Sequence, residues 1–337
     1  MTISPDAEPL YAAVELGSDS FRLHVASCAG GAVRVLATLS EPIRLGAELD
    51  AGGAFRADAM RRALACLRQF RTALELWQPR AVRVVATAAL RVARNAPVFV
   101  PAAAAAIGHP VEVIGPEEEG RLVYLGVAAA LGDAAQRRLV LDIGSGSTEV
   151  ACGHGERVER VQSFGVGALR HGLAFFGDGI NPSAFDAALE SSRSRFADAG
   201  AAPGMRGWER AYGASGSVRV LAELAGELLP AASPLYAGRL YALRRALIED
   251  GGLARIAARW PQPGRAAQVA GSLAMLLALV EELGIDAVLP VQAGLRAGVI
   301  RELHLRAHMD AQADIQMGAQ TGAQTGAQFG TPYRECV

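Results

Sequence analysis

A short internal repeat constrains this chain more than any other feature of its sequence. VELGSDSF at residues 14–21 and LDIGSGST at residues 141–148 align without a gap. Each copy ends an apolar, strand-like run at a carboxylate, Glu15 or Asp142, then turns through Gly and Ser into a second extended segment. The pattern predicts two β-hairpins, one in each of two related halves of the chain.

Strand-like and helical patterns alternate along the rest of the chain. Extended runs predict strands at 82–86 and 111–114, and apolar spacing predicts helices at 57–77, 116–131, 182–196, 218–229, 241–260, 266–283 and 295–308. This alternation indicates an α/β architecture, and 337 residues allow about two domains. From residue 309 the pattern stops, and GAQ repeats predict a disordered tail over 309–337.

Composition excludes several classes of protein. All 33 basic residues are arginine, which removes phosphate-loop NTPases, protein kinases and Schiff-base enzymes, since each needs a lysine. A net charge of −1 argues against nucleic-acid or membrane-surface partners, and the longest apolar run, 273–280, is too short to span a bilayer. The four cysteines lack the spacing of a zinc site, and we expect a cytoplasmic protein.

The chemistry of the repeated turns predicts a site for a phosphorylated ligand. Glycine lets the backbone approach a ligand closely, and successive N–H groups with serine hydroxyls form an anion-binding concavity. A carboxylate beside such a turn repels bare phosphate but suits a magnesium ion that carries phosphate. Two ordinary glycine-rich hairpins are the alternative for either copy alone, and the repetition favours the functional interpretation.

A third glycine-rich turn, GASGS at residues 213–217, precedes the predicted helix at 218–229. A serine-capped helix N-terminus can bind an anion, and plain helix capping explains the same residues equally well.

Taken together and in order, these motifs resemble those of the exopolyphosphatase and guanosine pentaphosphate phosphohydrolase family, in the actin-like phosphotransferase superfamily. The matching segments are ELGSDSFRL at 15–23, TAALRVARN at 87–95, EEGRLVYLGV at 118–127, DIGSGSTE at 142–149 and GASGS at 213–217. The resemblance implies an α/β fold of two ribonuclease-H-like (actin-like ATPase) domains flanking a central cleft. These domains would cover 10–125 and 126–308, as in a short form of the family without C-terminal helical domains.

The resemblance also implies roles for individual residues. Glu119 matches the family's proposed catalytic glutamate, although acids at 117–119 would also simply complement a helix dipole. The implied ligands of Mg²⁺ are Glu15, Asp142 and Glu149. The implied phosphate-binding residues are Gly17, Ser18, Asp19, Ser20, Arg22, Arg91, Gly144, Ser145, Gly146, Ser147, Gly213, Ser215 and Gly216. Arg94 and Arg121 are expected to be structural.

Four positions depart from the family pattern. Glu15 replaces an aspartate, Asp19 replaces an asparagine, Ser145 replaces a glycine, and Ala297 replaces a glutamate in a segment similar to L-R-E-G. Asp19 adds a negative charge to an anion-binding turn, and two like charges about 5 Å apart cost about 3 kcal/mol at an effective dielectric near 20. These departures put full activity in question.

The sequence therefore predicts a metal-dependent phosphohydrolase that releases terminal phosphate from inorganic polyphosphate or guanosine pentaphosphate, with a homodimer left open. The alternative is a catalytically weakened regulatory protein that binds polyphosphate or an alarmone. An actin-like ATPase or sugar kinase is a third interpretation, because that superfamily uses similar turns for ATP.

Overall fold

Residues 8–29, 31–199, 205–229, 234–249 and 252–326 are described by the computed structural model. The first half of the chain forms a five-stranded sheet in the order β3-β2-β1-β4-β5. Its strands are β1 Leu10–Leu16, β2 Phe21–Ala29, β3 Ala32–Glu41, β4 Ala81–Ala86 and β5 Val111–Val113. Its helices are α1 Ala57–Trp77, α2 Ala88–Val92, α3 Ala96–Ile107 and α4 Pro116–Leu131.

The second half repeats this arrangement in a sheet ordered β10-β9-β6-β7-β8. Its strands are β6 Arg137–Ile143, β7 Thr148–His154, β8 Arg157–Phe164, β9 Arg210–Gly213 and β10 Val288–Pro290. Its helices are α5 Ala168–Phe176, α6 Pro182–Phe196, α7 Gly216–Leu228, α8 Ala237–Glu249, α9 Gly252–Arg259, α10 Arg265–Leu283 and α11 Leu295–Gly326.

Strand directions match between the two sheets as well as strand order. In each sheet the first three strands of the half are antiparallel neighbours, and two parallel strands extend the sheet from the first strand. This is the topology of a ribonuclease-H-like domain, so the predicted fold class is confirmed. The predicted boundary between residues 125 and 126 stays a prediction, and it falls inside the continuous helix α4.

Each half has its own apolar core, and a third apolar cluster joins them. Leu122 and Val127 of α4 pack with Val299 and Ile300 of α11 in this joining cluster. Helix α11 also packs against β1, so the last helix returns to the first half of the chain. The joining cluster fixes α4, which carries Glu119, against both sheets.

Helix α10 forms the centre of the second core. Of the described helices, it alone has the length and apolar composition that crossing a bilayer would require, and 78% of its apolar window is buried within the protein. Burial on nearly all sides is the environment of a core helix.

The structure differs from the sequence prediction in two helical regions. The predicted helix at 241–260 is two helices, α8 and α9, and α9 begins at Gly252, the second of two adjacent glycines in the sequence; glycine disfavours a helix interior. Helix α11 continues to Gly326, so the tail predicted as disordered from 309 is helical through that residue. Ala, Gln and Met favour helix, and extending an existing helix avoids the cost of nucleation. The remainder of that tail, 327–337, lies outside the described residues.

Candidate active site between the two sheets

The two repeated turns line one cavity between the sheets. This main cavity has a volume of about 160 Å³. The first turn contributes Gly17, Ser18, Asp19 and Ser20, and the second contributes Gly144, Ser145, Gly146 and Ser147. Glu15 and Asp142, the carboxylates that precede the turns, also line it. The repeat thus places both acidic corners in a common pocket.

The two turns have the same backbone geometry. Gly17 N donates a hydrogen bond to Ser20 O at 3.2 Å, and Gly144 N donates to Ser147 O at 2.9 Å. A Cβ atom added at Gly17 or Gly144 would lie 2.9 Å from that same carbonyl oxygen. Both turns therefore require glycine at their first position.

The turns touch each other at the bottom of the cleft. A Cβ atom added at Gly146 would lie 2.7 Å from Ser18 Oγ and 2.8 Å from the Cβ of Ala88. Ser18 Oγ in turn accepts a hydrogen bond from Ala89 N at 3.2 Å. Small residues at these positions let the two halves of the molecule close on one another.

Glu119 lies in the first turn of α4 and faces the main cavity. Its side chain is buried, and Arg91 Nη1 donates to its Oε2 at 2.6 Å. Burial raises the pKa of Glu119, the Arg91 charge opposes the rise, and Glu15 adds to it. The carboxylate is thus held in place at the cavity wall with a weakened preference for the ionised form.

Arg91 contacts the buried carboxylate of Glu119 and lies outside the lining of the main cavity. It also donates to Ile114 O at 3.1 Å and to Ser147 Oγ, in the second turn, at 3.4 Å. A buried carboxylate requires a charged partner, which Arg91 supplies. The predicted contact of Arg91 with phosphate stays a prediction.

Asp142 and Glu149 are acidic groups in low-dielectric surroundings. Burial raises the pKa of Asp142 to about 7, with further contributions from the charges of Glu119 and Glu15. Burial, with the charges of Glu119 and Asp142, raises the pKa of Glu149 well above its usual range. The site thus concentrates negative charge that only a cation or protons can neutralise.

Glu149 is buried behind the second turn, outside the lining of the main cavity. In register it lies opposite both Asp142 of β6 and Ser163 of β8, and Ser163 Oγ donates to Glu149 Oε1 at 2.9 Å. Its role in holding a metal, directly or through water, stays a prediction.

Glu15 is paired rather than free. Arg296, at the start of α11, donates to Glu15 Oε2, and Arg296 Nε donates to His24 Nε2 at 3.0 Å. Burial, followed by the charge of Arg296, lowers the pKa of His24 to about 4, so this imidazole is neutral. The extra methylene of Glu15 relative to aspartate thus carries a carboxylate to an arginine.

Asp19 also has cationic neighbours. Its carboxylate lies 3.9 Å from Arg44 Nε and 4.0 Å from Arg265 Nη1. These arginines offset the repulsion that the sequence predicts for a negative charge in this turn.

Three further arginines, which the sequence did not predict as site residues, line the main cavity. Arg219 comes from α7, Arg265 from α10 and Arg296 from α11, and they join the predicted Arg22. Burial lowers the pKa of all three, and the positive charge of Arg22 adds to the lowering in each case. The segment similar to L-R-E-G contains Arg296 and was the one available signal.

The third glycine-rich turn contributes in part. Ser215 and Gly216 line the main cavity, and Ser215 Oγ accepts a hydrogen bond from Val218 N at 3.1 Å as a helix cap. Gly213 does not line the cavity: it ends β9, where an added Cβ would meet the Val218 side chain. The close Val218 side chain explains a glycine here by packing, and the predicted phosphate contact of Gly213 stays a prediction.

The helix that carries Glu119 is anchored by a network of charges. Glu118 accepts hydrogen bonds from Arg121 Nε at 2.6 Å and from Arg83 Nη2 at 3.3 Å. Both arginines also donate to Glu302 of α11. Arg121 is therefore structural, as the sequence predicts, and so is Arg94, which donates to Gly52 O at 3.3 Å.

The predicted magnesium ligands do not assemble into a closed site. Across the described ranges, no three His, Cys, Asp or Glu side chains are grouped as metal ligands. Glu15 is paired with Arg296 and Glu149 accepts a hydrogen bond from Ser163, whereas Asp142 lines the cavity with no ion pair among the described residues. A carboxylate of this kind suits a magnesium ion whose remaining ligands are phosphate oxygens and water.

Residues 24–307 match the family model described as the Ppx/GppA phosphatase family. The chain belongs to this family. The Ppx/GppA family member from Aquifex aeolicus is 24% identical, with a TM-score of 0.75 over 89% of this chain and 98% of that chain. An exopolyphosphatase from Cytophaga hutchinsonii is 22% identical, with a TM-score of 0.77 over 87% and 97% of the two chains. These two structures share the fold of this Ppx/GppA chain.

Membership of the Ppx/GppA phosphatase family confirms the predicted enzyme class, a phosphoanhydride hydrolase.

Proposed function

We propose that this phosphatase hydrolyses the terminal phosphoanhydride bond of linear inorganic polyphosphate. The observation that carries the proposal is the main cavity, where two anion-binding turns, a buried glutamate and four arginines surround one space. Two turns that face each other suit a single phosphoryl group held from both sides.

The arginines support a substrate with a long run of phosphates. Arg22, Arg219 and Arg265 come from three separate elements around the main cavity. Within the described residues, Arg22 and Arg219 form no ion pair. Guanidinium groups bind phosphate oxygens bidentately, so this arrangement favours a chain of phosphates over one terminal group.

Glu119 is the proposed general base. Burial raises its pKa above that of an exposed glutamate, so its carboxylate is the stronger base for proton abstraction from water. Arg91 holds the carboxylate and reaches Ser147 Oγ in the second turn, so base and phosphate site are linked by one side chain.

A magnesium ion carried by the substrate is part of the proposal. Asp142 is the residue that would hold it, directly or through water, and Mg²⁺ is commonly bound by one or two carboxylates with substrate phosphates. When bound, the ion would neutralise charge on the phosphoryl oxygens. The raised pKa of Asp142 supports this role, since a half-buried carboxylate without an ion pair gains much from a cation.

Phosphate release from polyphosphate, guanosine pentaphosphate and ATP, measured side by side with Mg²⁺, tests the proposal. We expect the highest kcat/KM on polyphosphate, lower activity on guanosine pentaphosphate and the lowest on ATP. Glu119→Gln should abolish release, while Glu117→Gln, an exposed position in the same helical turn, should not. Faster hydrolysis of ATP, or no release from any substrate, would contradict the proposal.

A regulatory protein that binds polyphosphate or an alarmone without turnover is the alternative. The negative charge of Asp19 in an anion-binding turn favours this alternative. The neighbouring Arg44 and Arg265 offset that charge and so weaken the support. Calorimetry that detects binding together with zero turnover would favour this alternative. A cytoplasmic location stays a prediction from the sequence.

A further inference from the structure

A second cavity, which we call the rear cavity, adjoins the same two turns and has a volume of about 210 Å³. The main and rear cavities share a partition of small residues: Ser18, Ala88, Ser145, Gly146 and Ser147. The other walls of the two cavities are formed by different residues. Ser18 and Gly146 touch in this partition, so a phosphate held between the turns reaches the rear cavity when that contact opens.

The rear cavity combines cationic and hydroxyl groups with an opening to solvent. Arg91, which holds Glu119, lines its inner end, and Ser163 lies nearby. At its outer rim Val92 is 57% exposed, and Gly165 and Arg170 are exposed as well. In the described part of the chain, Arg170 forms no ion pair, so its charge is available to an anion.

The geometry of hydrolysis creates a need for a second path. Attack of water on the terminal phosphorus breaks the bond to the bridging oxygen, which stays with the shortened chain. The new orthophosphate carries the water oxygen, and Glu119 receives the proton. The shortened chain then occupies the arginine-lined main cavity, and two adjacent polyanions repel each other.

We propose that orthophosphate leaves through the rear cavity while the shortened polyphosphate stays in the main cavity. This inference rests on the proposed function. Arg91 and Arg170 draw the product through, and apolar walls such as Leu169 and Val92 hold it weakly enough for release. Separate paths for chain and product let one chain be shortened repeatedly without dissociation.

Gly165→Leu is the variant that blocks this path with least disturbance. No atom lies within 4 Å of a Cβ added at Gly165, and its φ is outside the left-handed region. The matched control is Gly226→Leu, an equally open glycine on the exposed face of α7. Neither residue belongs to the turns or the Glu119 site.

Rapid acid quench measures bond cleavage, and a fluorescent phosphate sensor measures free orthophosphate. With Gly165→Leu we expect unchanged first cleavage and release that is slower by about tenfold, equivalent to about 1.4 kcal/mol. Cleavage should then show a burst of one phosphate per enzyme, absent from the wild type and from Gly226→Leu. Release that keeps pace with cleavage in Gly165→Leu would overturn the proposal.

Direct binding of inorganic phosphate separates this inference from the proposed function. Calorimetry without substrate should give affinity that falls in Gly165→Leu and in Arg170→Ala, which lies at an exposed position and should leave folding intact. Loss of affinity would support the rear cavity even if no substrate were hydrolysed. Unchanged affinity in both variants, or displacement of phosphate by guanosine alone, would overturn it.

Discussion

The turn after β1 and the turn after β6 have the same backbone but opposite electrostatic states. In the first turn, Glu15 is paired with Arg296, and Asp19 lies beside Arg44 and Arg265. In the second, Asp142 has no ion pair within the described residues, and burial raises its pKa to about 7.

This difference shows that two copies of one motif can have different roles. Glycine and serine set the shape of each turn locally, as the matching Gly17 and Gly144 hydrogen bonds show. Arginines from distant elements then set the charge. The first turn is a neutralised anchor, and the second leaves negative charge for a cation.

The largest expected effect separates the two carboxylates. Asp142→Asn should lower kcat/KM for magnesium polyphosphate by about a thousandfold, or about 4 kcal/mol, because it removes the cation-binding charge. Glu15→Gln should lower it by about tenfold, since Glu15 mainly holds Arg296. Steady-state kinetics of both variants check the comparison, and equal losses would break it.

Substitution of the first glycine in each turn tests whether the two turns have the same backbone geometry. Gly17→Ala and Gly144→Ala should each destabilise the fold by about 2 to 3 kcal/mol, because each new Cβ would lie 2.9 Å from a carbonyl oxygen. Urea unfolding measures both, and Gly226→Ala, at an open position, is the control. A large difference between the two turn variants would show that their backbones are not equivalent.

The raised pKa of Asp142 predicts that, as pH rises, the stability of the metal-free fold decreases while the activity increases. Without Mg²⁺, folded Asp142 keeps its proton up to about pH 7, whereas the unfolded chain loses it near pH 4. The unfolded state then binds fewer protons between these values, so stability falls as pH rises. Asp142→Asn should reduce this fall and be more stable than wild type at pH 8 by up to about 4 kcal/mol.

Thermal and urea unfolding in chelator, from pH 4 to 8, check that relation. The activity of the wild type should rise with pH through about 7, as Asp142 loses its proton and can hold the cation. An unchanged pH slope of stability in Asp142→Asn would place the titrating group elsewhere.

The smallest expected effect concerns Asp19. Arg265→Gln removes one of its two cationic neighbours and should raise the KM for polyphosphate by about threefold to tenfold. Asp19→Asn in the same chain should recover part of that loss, because the carboxylate no longer needs a partner. No recovery in the double variant would mean that Arg265 acts only on the substrate.

Local patterns predicted much of this molecule from its sequence. The bounds of α1, α4 and α6 follow from apolar spacing, proline starts and glycine or proline stops. Both hairpin turns follow from the repeat. Such features depend on backbone sterics and on residues that lie within a few positions of one another in the sequence.

The missing parts depend on contacts between distant residues. Arg219, Arg265 and Arg296 reach one cavity from three helices, and no local pattern records that meeting. Gly213 and Glu149 sit in matching motifs, but Gly213 packs against Val218 and the Glu149 carboxylate accepts a hydrogen bond from Ser163. A motif thus locates the turn and leaves the direction of each side chain to tertiary packing.

A crystal structure of Glu119→Gln with Mg²⁺ and a short linear polyphosphate tests the central claim most directly. We expect the terminal phosphate to accept hydrogen bonds from backbone amides of both 17–20 and 144–147, with the cation next to Asp142. A terminal phosphate bound by one of these segments alone, with the other more than hydrogen-bond distance away, would contradict the account.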